Sequence, residues 1–121
     1  MSYERITKLL ALYGLSEEDI RIYLNLAVNG PKTLQVIHSD LQLEWGQILI
    51  SIRKLEEKKL VHAFRGLFNA TPFEKTLEII IDTDLAQAQD TESNKDKILK
   101  QWQAYVSEKT NPKGGDPSWL R

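Results

Sequence analysis

Basic and amide side chains in the central part of the chain have the types and spacing to bind nucleic acid. Lys54 and Lys58 are four positions apart, so a helix would bring both ammonium groups to one face, where they could contact phosphates. Gln47 and Ser51 have the same spacing, and their uncharged polar groups could reach the edges of base pairs. The other candidate residues for this contact are Lys32, Trp45 and Arg65.

The same segment carries more large apolar residues than the buried side of one helix needs. Ile48 and Ile52 fit a buried stripe, which leaves Trp45, Leu49 and Ile50 without an evident partner. Trp45 and Leu49 could pack against the first or fifth helix of the same domain. Alternatively, all three could form a binding patch for another protein. Direct contact of Trp45 with a base is the third possibility.

No set of residues in the sequence predicts catalysis or a cofactor. His38 and His62 are far apart and have no neighbouring cluster of acidic residues, so we predict no metal site. The sequence contains no cysteine, no glycine-rich phosphate loop and no Ser/His/Asp set. We therefore expect a binding protein rather than an enzyme.

The composition predicts one soluble globular domain. The chain has 121 residues, of which 41% are hydrophobic and 27% charged, and its net charge is −1. No apolar run approaches the roughly 18 residues of a membrane span, and charged residues interrupt the N-terminus where a signal peptide would be apolar. We predict a cytoplasmic protein with no membrane partner. The near-neutral charge argues against strong binding to phosphates, which supply most of the affinity of dedicated DNA-binding domains.

Hydrophobic spacing and capping residues predict four helices before residue 60. Ser16 begins the second helix with Asp19 three residues on, which is a capping box. Thr33 can cap the third helix. A three-residue turn at 41–43 joins this short helix to a longer fourth one, which is the helix-turn-helix pattern. The predicted helices cover residues 3–13, 16–29, 33–40 and 44–59.

The residues after the fourth helix predict a small wing. Leu55 is the last buried residue of that helix, and Leu60 returns the chain to the core after four charged residues. The predicted strands are 61–64 and 67–70, with Arg65-Gly66 as a two-residue turn between them. A fifth helix starts near residue 72. We therefore predict a mostly α fold, a winged helix-turn-helix with a two-stranded wing and a C-terminal helical extension.

The C-terminal part carries apolar residues at alternating steps of four and three. This heptad phase predicts either one long helix from 72 to about 109 or two helices interrupted near 91–94. The extension could form the seam of a coiled-coil dimer or fold back on its own domain. The candidate dimerisation residues are Leu85, Leu99, Trp102 and Val106. The predicted divisions are a winged helix-turn-helix domain (1–81), a helical extension (82–109) and an irregular tail (110–121).

Three segments resemble the N-terminal domain of the TrmB-type regulators, which are mostly archaeal and sugar-responsive. The first is Tyr-Gly-Leu-Ser-Glu-Glu-Asp-Ile-Arg-Ile-Tyr-Leu at 13–24, where the family has Gly-Leu-(Ser/Thr)-x-x-Glu-Ala-x-x-Tyr. The second is Gly-Pro-Lys-Thr at 30–33, and the third is the run 55–61 with Thr-Pro at 71–72 after the hairpin. The resemblance implies a winged helix over residues 13–81 whose fourth helix enters the major groove of DNA.

The resemblance also implies which residues of the fourth helix face the groove. Where the family usually offers arginine, serine or threonine, lysine and tyrosine, this chain has Trp45, Gly46, Gln47 and Leu49. The family's glycines in the turn before this helix and after its end are replaced by Gln42 and Lys59. The resemblance does not extend to a sugar-binding effector domain, so it does not imply sugar sensing.

The leading hypothesis is a small transcriptional regulator that binds double-stranded DNA with its fourth helix, at about 44–59. In this hypothesis Lys32, Lys54 and Lys58 contact phosphates, and Arg65 approaches the neighbouring minor groove. A homodimer would place two such helices about one DNA turn, ~34 Å, apart.

Two further hypotheses remain open. The first is a protein-interaction module that uses the Trp45, Leu49 and Ile50 face within a larger complex. The second is a DNA-binding remnant that acts together with a partner carrying the effector domain.

Overall fold

In the computed structural model of this chain, the described residues form four helices, then a two-stranded antiparallel hairpin, and then two more helices. The structure describes residues 2–83 and 95–110. The predicted fold class, a mostly helical winged helix, is confirmed. The elements are α1 (Ser2–Leu12), α2 (Glu17–Asn29), α3 (Leu34–Leu41), α4 (Trp45–Glu57), β1 (Val61–Phe64), β2 (Leu67–Ala70), α5 (Phe73–Thr83) and α6 (Lys95–Thr110).

The side-chain caps predicted for α2 and α3 are both present. At the start of α2, the Ser16 amide donates to the Asp19 carboxylate over 2.9 Å, and the Asp19 amide donates to the Ser16 hydroxyl over 3.2 Å. At the start of α3, the Thr33 hydroxyl accepts from the Val36 amide over 3.2 Å. These bonds satisfy amides that a helix leaves unpaired in its first turn. Local side chains therefore set where both helices begin.

Left-handed residues other than glycine end α3 and follow α4. Gln42 caps α3 with φ 56° and ψ 37°, and Lys59 has φ 67°. The Leu60 amide donates to the Leu55 carbonyl over 2.9 Å, and the Lys59 amide donates to the Glu56 carbonyl over 3.0 Å. This pair of bonds is the Schellman arrangement, which favours glycine at the left-handed position. Both residues therefore adopt a backbone conformation that usually favours glycine.

The wing has the strands and the turn that the sequence predicts. β1 pairs antiparallel with β2, and Phe64 lies opposite Leu67 in the last pair before the turn. Arg65 and Gly66 occupy the turn with φ 55° and 82°. Positive φ at both central residues is typical of the two-residue turn whose twist matches a hairpin.

Tyr23 of α2 lies in the centre of the core and is fully buried. Its hydroxyl lies 2.8 Å from both the Thr71 carbonyl and the Thr76 hydroxyl, so the ring connects α2 to the start of α5. The Thr71 hydroxyl in turn donates to the Lys59 carbonyl over 2.7 Å. The other large side chains that are fully buried are Ile6, Leu10, Ile22, Leu26, Ile37, Ile48, Leu55, Leu60, Leu77 and Ile80.

α6 folds back against α1, α2 and α5. The Trp102 ring stacks on Phe73 with 4.5 Å between the ring centroids, and the Lys95 ammonium lies 3.8 Å from the Glu78 carboxylate. A single helix would place residues 73 and 102 about 43 Å apart, at 1.5 Å per residue. The possibility of one long helix from 72 to 109 is therefore wrong. The possible interruption near 91–94 lies outside the described residues, and so does the predicted tail beyond residue 110.

None of the helices described is both long and apolar enough to cross a lipid bilayer.

Candidate nucleic-acid interface

α4 is held by its inner side and exposes its outer side. Ile48, Ile52 and Leu55 are buried in the core, which confirms the predicted inner stripe. α4 packs against α2 and α3, and the hairpin follows it directly. α3, the turn and α4 therefore form the helix-turn-helix unit, with the wing beside its longer helix.

Trp45 begins α4 and is stacked on a residue of α3. Its ring lies parallel to the His38 ring, with 4.2 Å between centroids and 4° between planes. The indole is nevertheless 45% exposed. Trp45 was expected to pack against the first or fifth helix if it packed within the domain, and this is wrong, since its partner ring belongs to α3. The stacking fixes the ring at the entrance of α4 and leaves part of it accessible to a ligand.

Leu49 and Ile50 are the most exposed large apolar residues of α4. Leu49 is 53% and Ile50 66% exposed, and Arg53 one turn later is also exposed. We call Trp45, Leu49, Ile50 and Arg53 the outer α4 face. This face offers three apolar side chains and one cation, whereas a phosphate-binding surface is usually rich in lysine and arginine.

Gln47 and Ser51 form a pair within the protein. Ser51 is fully buried, and its hydroxyl accepts a hydrogen bond from the Gln47 side-chain amide over 3.0 Å. The buried Ser51 hydroxyl cannot reach a base edge, so the prediction of a base contact by Ser51 is wrong. Gln47 is half-buried and keeps one amide hydrogen and its carbonyl for other partners.

Lys54 binds a carboxylate of α2 instead of standing free. Its ammonium lies 2.9 Å from the Asp19 carboxylate, and the Asp19 side chain is 3% exposed. Burial would raise the pKa of Asp19, but hydrogen bonds from Ser51, the Ser16 amide and Lys54 outweigh it and lower this pKa below its ordinary value. Asp19 is therefore ionised at neutral pH and ties the start of α2 to the last turn of α4.

The other two lysines of the predicted phosphate set also have partners within the domain. The Lys58 ammonium lies over the Tyr13 ring, 4.6 Å from its centroid. Lys32 forms an ion pair with Asp40, and this hydrogen bond is the main cause that lowers the pKa of Asp40. The Lys32 backbone also pairs with Phe68 of β2, through hydrogen bonds of 3.0 and 2.7 Å. Lys32 thus joins the wing to the connection between α2 and α3.

Arg65 lies in the turn of the wing, as predicted. It is exposed, and its guanidinium lies 5.1 Å from the centre of the neighbouring Phe64 ring. Phe64 is itself 67% exposed. The wing tip therefore presents one cation beside an apolar ring.

The structure places the predicted dimerisation residues of α6 against their own domain. Leu99, Trp102 and Val106 are partly buried and pack on the core, with Ile98 and Tyr105 buried beside them. Leu85 lies outside the described residues. This arrangement is the folded-back alternative, and the homodimer stays a prediction. In the part of the chain that the structure describes, no three residues of the metal-binding types lie close enough to hold an ion.

Asp19 and Arg53 belong to this region but were not among the residues that the sequence predicted for it. The sequence predicted Asp19 only as part of the capping box, yet it lies four positions before Tyr23, a spacing that puts both on the buried side of α2. Arg53 lies four positions after Leu49, which predicts that both share an exposed face. The sequence held both signals, but only the packing of α2 against α4 shows which lysine Asp19 binds.

The comparisons agree with this geometry. A family model described as "Sugar-specific transcriptional regulator TrmB" matches residues 10–74, which run from the end of α1 through the wing to the first residues of α5. A search of curated proteins finds no match.

Proposed function

The chain belongs to the TrmB family of sugar-specific transcriptional regulators, and we propose that it regulates transcription by binding double-stranded DNA with α4 and the wing. The observation that carries this proposal is the intact helix-turn-helix unit within the matched residues. α4 is anchored by its inner side, exposes its outer side, and is followed directly by the hairpin. This is the arrangement in which a recognition helix enters the major groove.

Arg53 and Arg65 are the cations best placed to contact phosphates. Both are exposed, and among the described residues neither has a carboxylate partner. Lys32, Lys54 and Lys58 remain in the proposed contact set at the edge of the interface. Each ammonium carries three hydrogens, so an internal partner leaves donors for a phosphate.

We expect this binding to be modest in strength. Each phosphate that a cation neutralises releases counterions and contributes to affinity, and among the described residues two arginines without a carboxylate partner serve the interface. The net charge of −1 adds no long-range attraction. Trp45, Leu49 and Ile50 would meet the base edges, with Gln47 as the nearest polar side chain of α4.

The test is fluorescence anisotropy with labelled duplex DNA at ~50 and ~200 mM salt, where counterion release changes the affinity. Micromolar binding that weakens at the higher salt supports the proposal. The double variant Arg53→Gln and Arg65→Gln should then lose binding at both salt concentrations while its circular dichroism spectrum stays unchanged. Absence of binding at ~50 mM salt would overturn the proposal.

A second candidate function is docking of another protein on the outer α4 face. The observation that favours it is the exposure of Trp45, Leu49 and Ile50 on one helix, since exposed apolar clusters mark interaction sites. A partner recovered with the wild-type protein but not with Ile50→Asp, in the absence of duplex binding, would favour this candidate. Binding of DNA that Ile50→Asp abolishes would count against it.

A further inference from the structure

The outer α4 face is poor in groups that read bases through hydrogen bonds. Trp45, Leu49 and Ile50 are 45%, 53% and 66% exposed on the N-terminal half of the helix. In helix-turn-helix proteins the N-terminal residues of the recognition helix contact the base edges. The half of α4 that would enter the groove is therefore mainly apolar.

Only one base substituent in the major groove of unmodified DNA is apolar, the methyl group on C5 of thymine. The groove edges of guanine, adenine and cytosine carry acceptors and amino groups, and those groups lose water without compensation when an apolar side chain covers them. A methyl group on C5 of cytosine occupies the same place in the groove as the thymine methyl. C5-methylated pyrimidines are thus the bases whose chemistry matches this helix.

We propose that the outer α4 face recognises the C5 methyl groups of pyrimidines in double-stranded DNA, with Leu49 and Ile50 as the contacting residues. This inference rests on the proposed function and names the DNA feature that the same site selects. It accounts for the apolar character of α4 within a family of transcriptional regulators.

The dimensions of the face set the length of the recognised run. Trp45 and Ile50 are five residues apart, which is about 7.5 Å along the helix at 1.5 Å per residue. Base pairs are spaced about 3.4 Å apart. The face therefore spans at most two to three consecutive base pairs, and a run of two or three methylated pyrimidines would cover it.

The surroundings of the face hold it in place. Trp45 is stacked on His38, and Lys54, one turn after Ile50, ties the last turn of α4 to Asp19 of α2. Glu56 and Glu57 lie in the last turn of the helix, and its N-cap residue, Glu44, is an exposed carboxylate at the end that would enter the groove. A helix that is already held in place loses little further freedom when it enters the groove.

The experiment compares duplexes that differ only in C5 methyl groups. One pair has the same sequence with thymine or with uracil, and a second pair has cytosine or 5-methylcytosine at the same positions. Wild-type protein should bind the methylated member of a pair about fourfold more tightly for each contacted methyl, the value expected for burial of one such group. A difference confined to the first pair identifies thymine as the recognised base, and one confined to the second identifies 5-methylcytosine.

Replacing thymine with uracil also changes the stacking of the duplex, which could alter affinity by itself. Protein variants are therefore needed to show that α4 causes the preference for methylated DNA. Leu49→Ala and Ile50→Ala should reduce the ratio between methylated and unmethylated DNA towards one, whereas Arg53→Gln should weaken both duplexes and keep the ratio. Leu49 and Ile50 are exposed, so these variants should keep the wild-type circular dichroism spectrum.

Two results would refute methyl recognition, and a third would refute DNA binding itself. Equal affinity of the wild type for both members of each pair would refute methyl recognition and leave DNA binding intact. A ratio that persists in both alanine variants would also refute it, since the methyl effect would then arise elsewhere. Absence of binding to every duplex at ~50 mM salt would refute the proposed function itself.

Discussion

The Lys54 ammonium lies 2.9 Å from the carboxylate of Asp19, a side chain that is only 3% exposed. Asp19 belongs to the first turn of α2, where it also closes the capping box with Ser16. One carboxylate thus sets the start of α2 and its position against α4. The orientation of the candidate recognition helix therefore depends on a residue that lies outside the helix-turn-helix unit.

Asp19→Asn should destabilise the protein by about 1–3 kcal/mol, because the neutral amide cannot replace the charge opposite the Lys54 ammonium. The pKa of Asp19 is lower in the folded protein, so the stability it contributes is present above its unfolded pKa, near 3.8, and is lost as the pH falls through the folded value. Urea unfolding between pH 2 and 7 measures both effects.

The matched control for this titration is Asp40→Asn. Asp40 also has a lowered pKa, but its side chain is 36% exposed, against 3% for Asp19, so water screens its pair with Lys32 more. The free energy of unfolding should fall less between pH 7 and pH 2 in Asp19→Asn than in Asp40→Asn. Equal curves for the two variants would contradict the role given to Asp19.

Arg53 and Lys54 are neighbours with different expected roles, although both are basic. Arg53→Gln should lower DNA affinity and reduce the slope of log K against log salt by about one, with no loss of stability. Lys54→Gln should lower the free energy of unfolding by about 1–2 kcal/mol, because Asp19 loses its ion-pair partner. Anisotropy titrations and urea unfolding of both variants separate the two roles. A loss of stability in Arg53→Gln together with a loss of DNA affinity alone in Lys54→Gln would contradict them.

Lys59→Gly should stabilise the protein by about 1 kcal/mol. Lys59 has φ 67° at the left-handed position of the Schellman turn, a conformation that costs a residue with a Cβ atom about 1–2 kcal/mol. Part of this gain is offset by the greater freedom of glycine in the unfolded chain. Lys59→Ala is the control, because it removes the same charge but keeps the Cβ atom. The midpoint of thermal unfolding should be higher for Lys59→Gly than for either Lys59→Ala or the wild type.

The fold could be predicted from the sequence because its signals are local. Ser16 and Asp19 are three residues apart, Thr33 lies beside the helix it caps, and Arg65-Gly66 forms the whole turn of the hairpin. Each of these signals acts through bonds that neighbouring residues form among themselves. Helices and wing therefore follow from short stretches of sequence.

The candidate site could be predicted only in part because its charges are paired over long distances in the chain. Lys54 lies 35 residues after Asp19 and Lys58 lies 45 residues after Tyr13, counted along the sequence. Helical spacing places both lysines on one face but does not show what lies opposite them. The burial of Ser51 was missed for the same reason, since a small hydroxyl fits an interior position as readily as a surface one.

Tyr23→Phe should destabilise the protein by about 1–3 kcal/mol, because the Thr71 carbonyl and the Thr76 hydroxyl lose a partner inside the core. Burial also raises the pKa of the Tyr23 phenol well above its ordinary value. The contribution of the phenol is therefore complete below its unfolded pKa and is lost as the pH rises towards the folded one. Urea unfolding at neutral pH measures the loss, and Tyr13→Phe, which keeps the ring facing Lys58, is the control expected to be neutral.

Trp102→Ala should destabilise the protein by about 2–3 kcal/mol, because a half-buried indole loses its stacking on Phe73 and leaves a cavity under α6. Gln103→Ala, an exposed neighbour on the same helix, is the control. The contact lies within one chain, so the loss should be the same at every protein concentration.

Concentration therefore decides between the two roles that the sequence allowed for Trp102. A residue that stabilises a dimer seam makes the unfolding midpoint rise with protein concentration, since association is linked to folding by mass action. We expect the wild-type midpoint to stay constant between about 1 and 100 μM, and Trp102→Ala to lower it equally at both ends. A wild-type midpoint that rises with concentration, and a Trp102→Ala midpoint that does not, would instead assign Trp102 to a dimer interface and favour two copies of α4 on one DNA duplex.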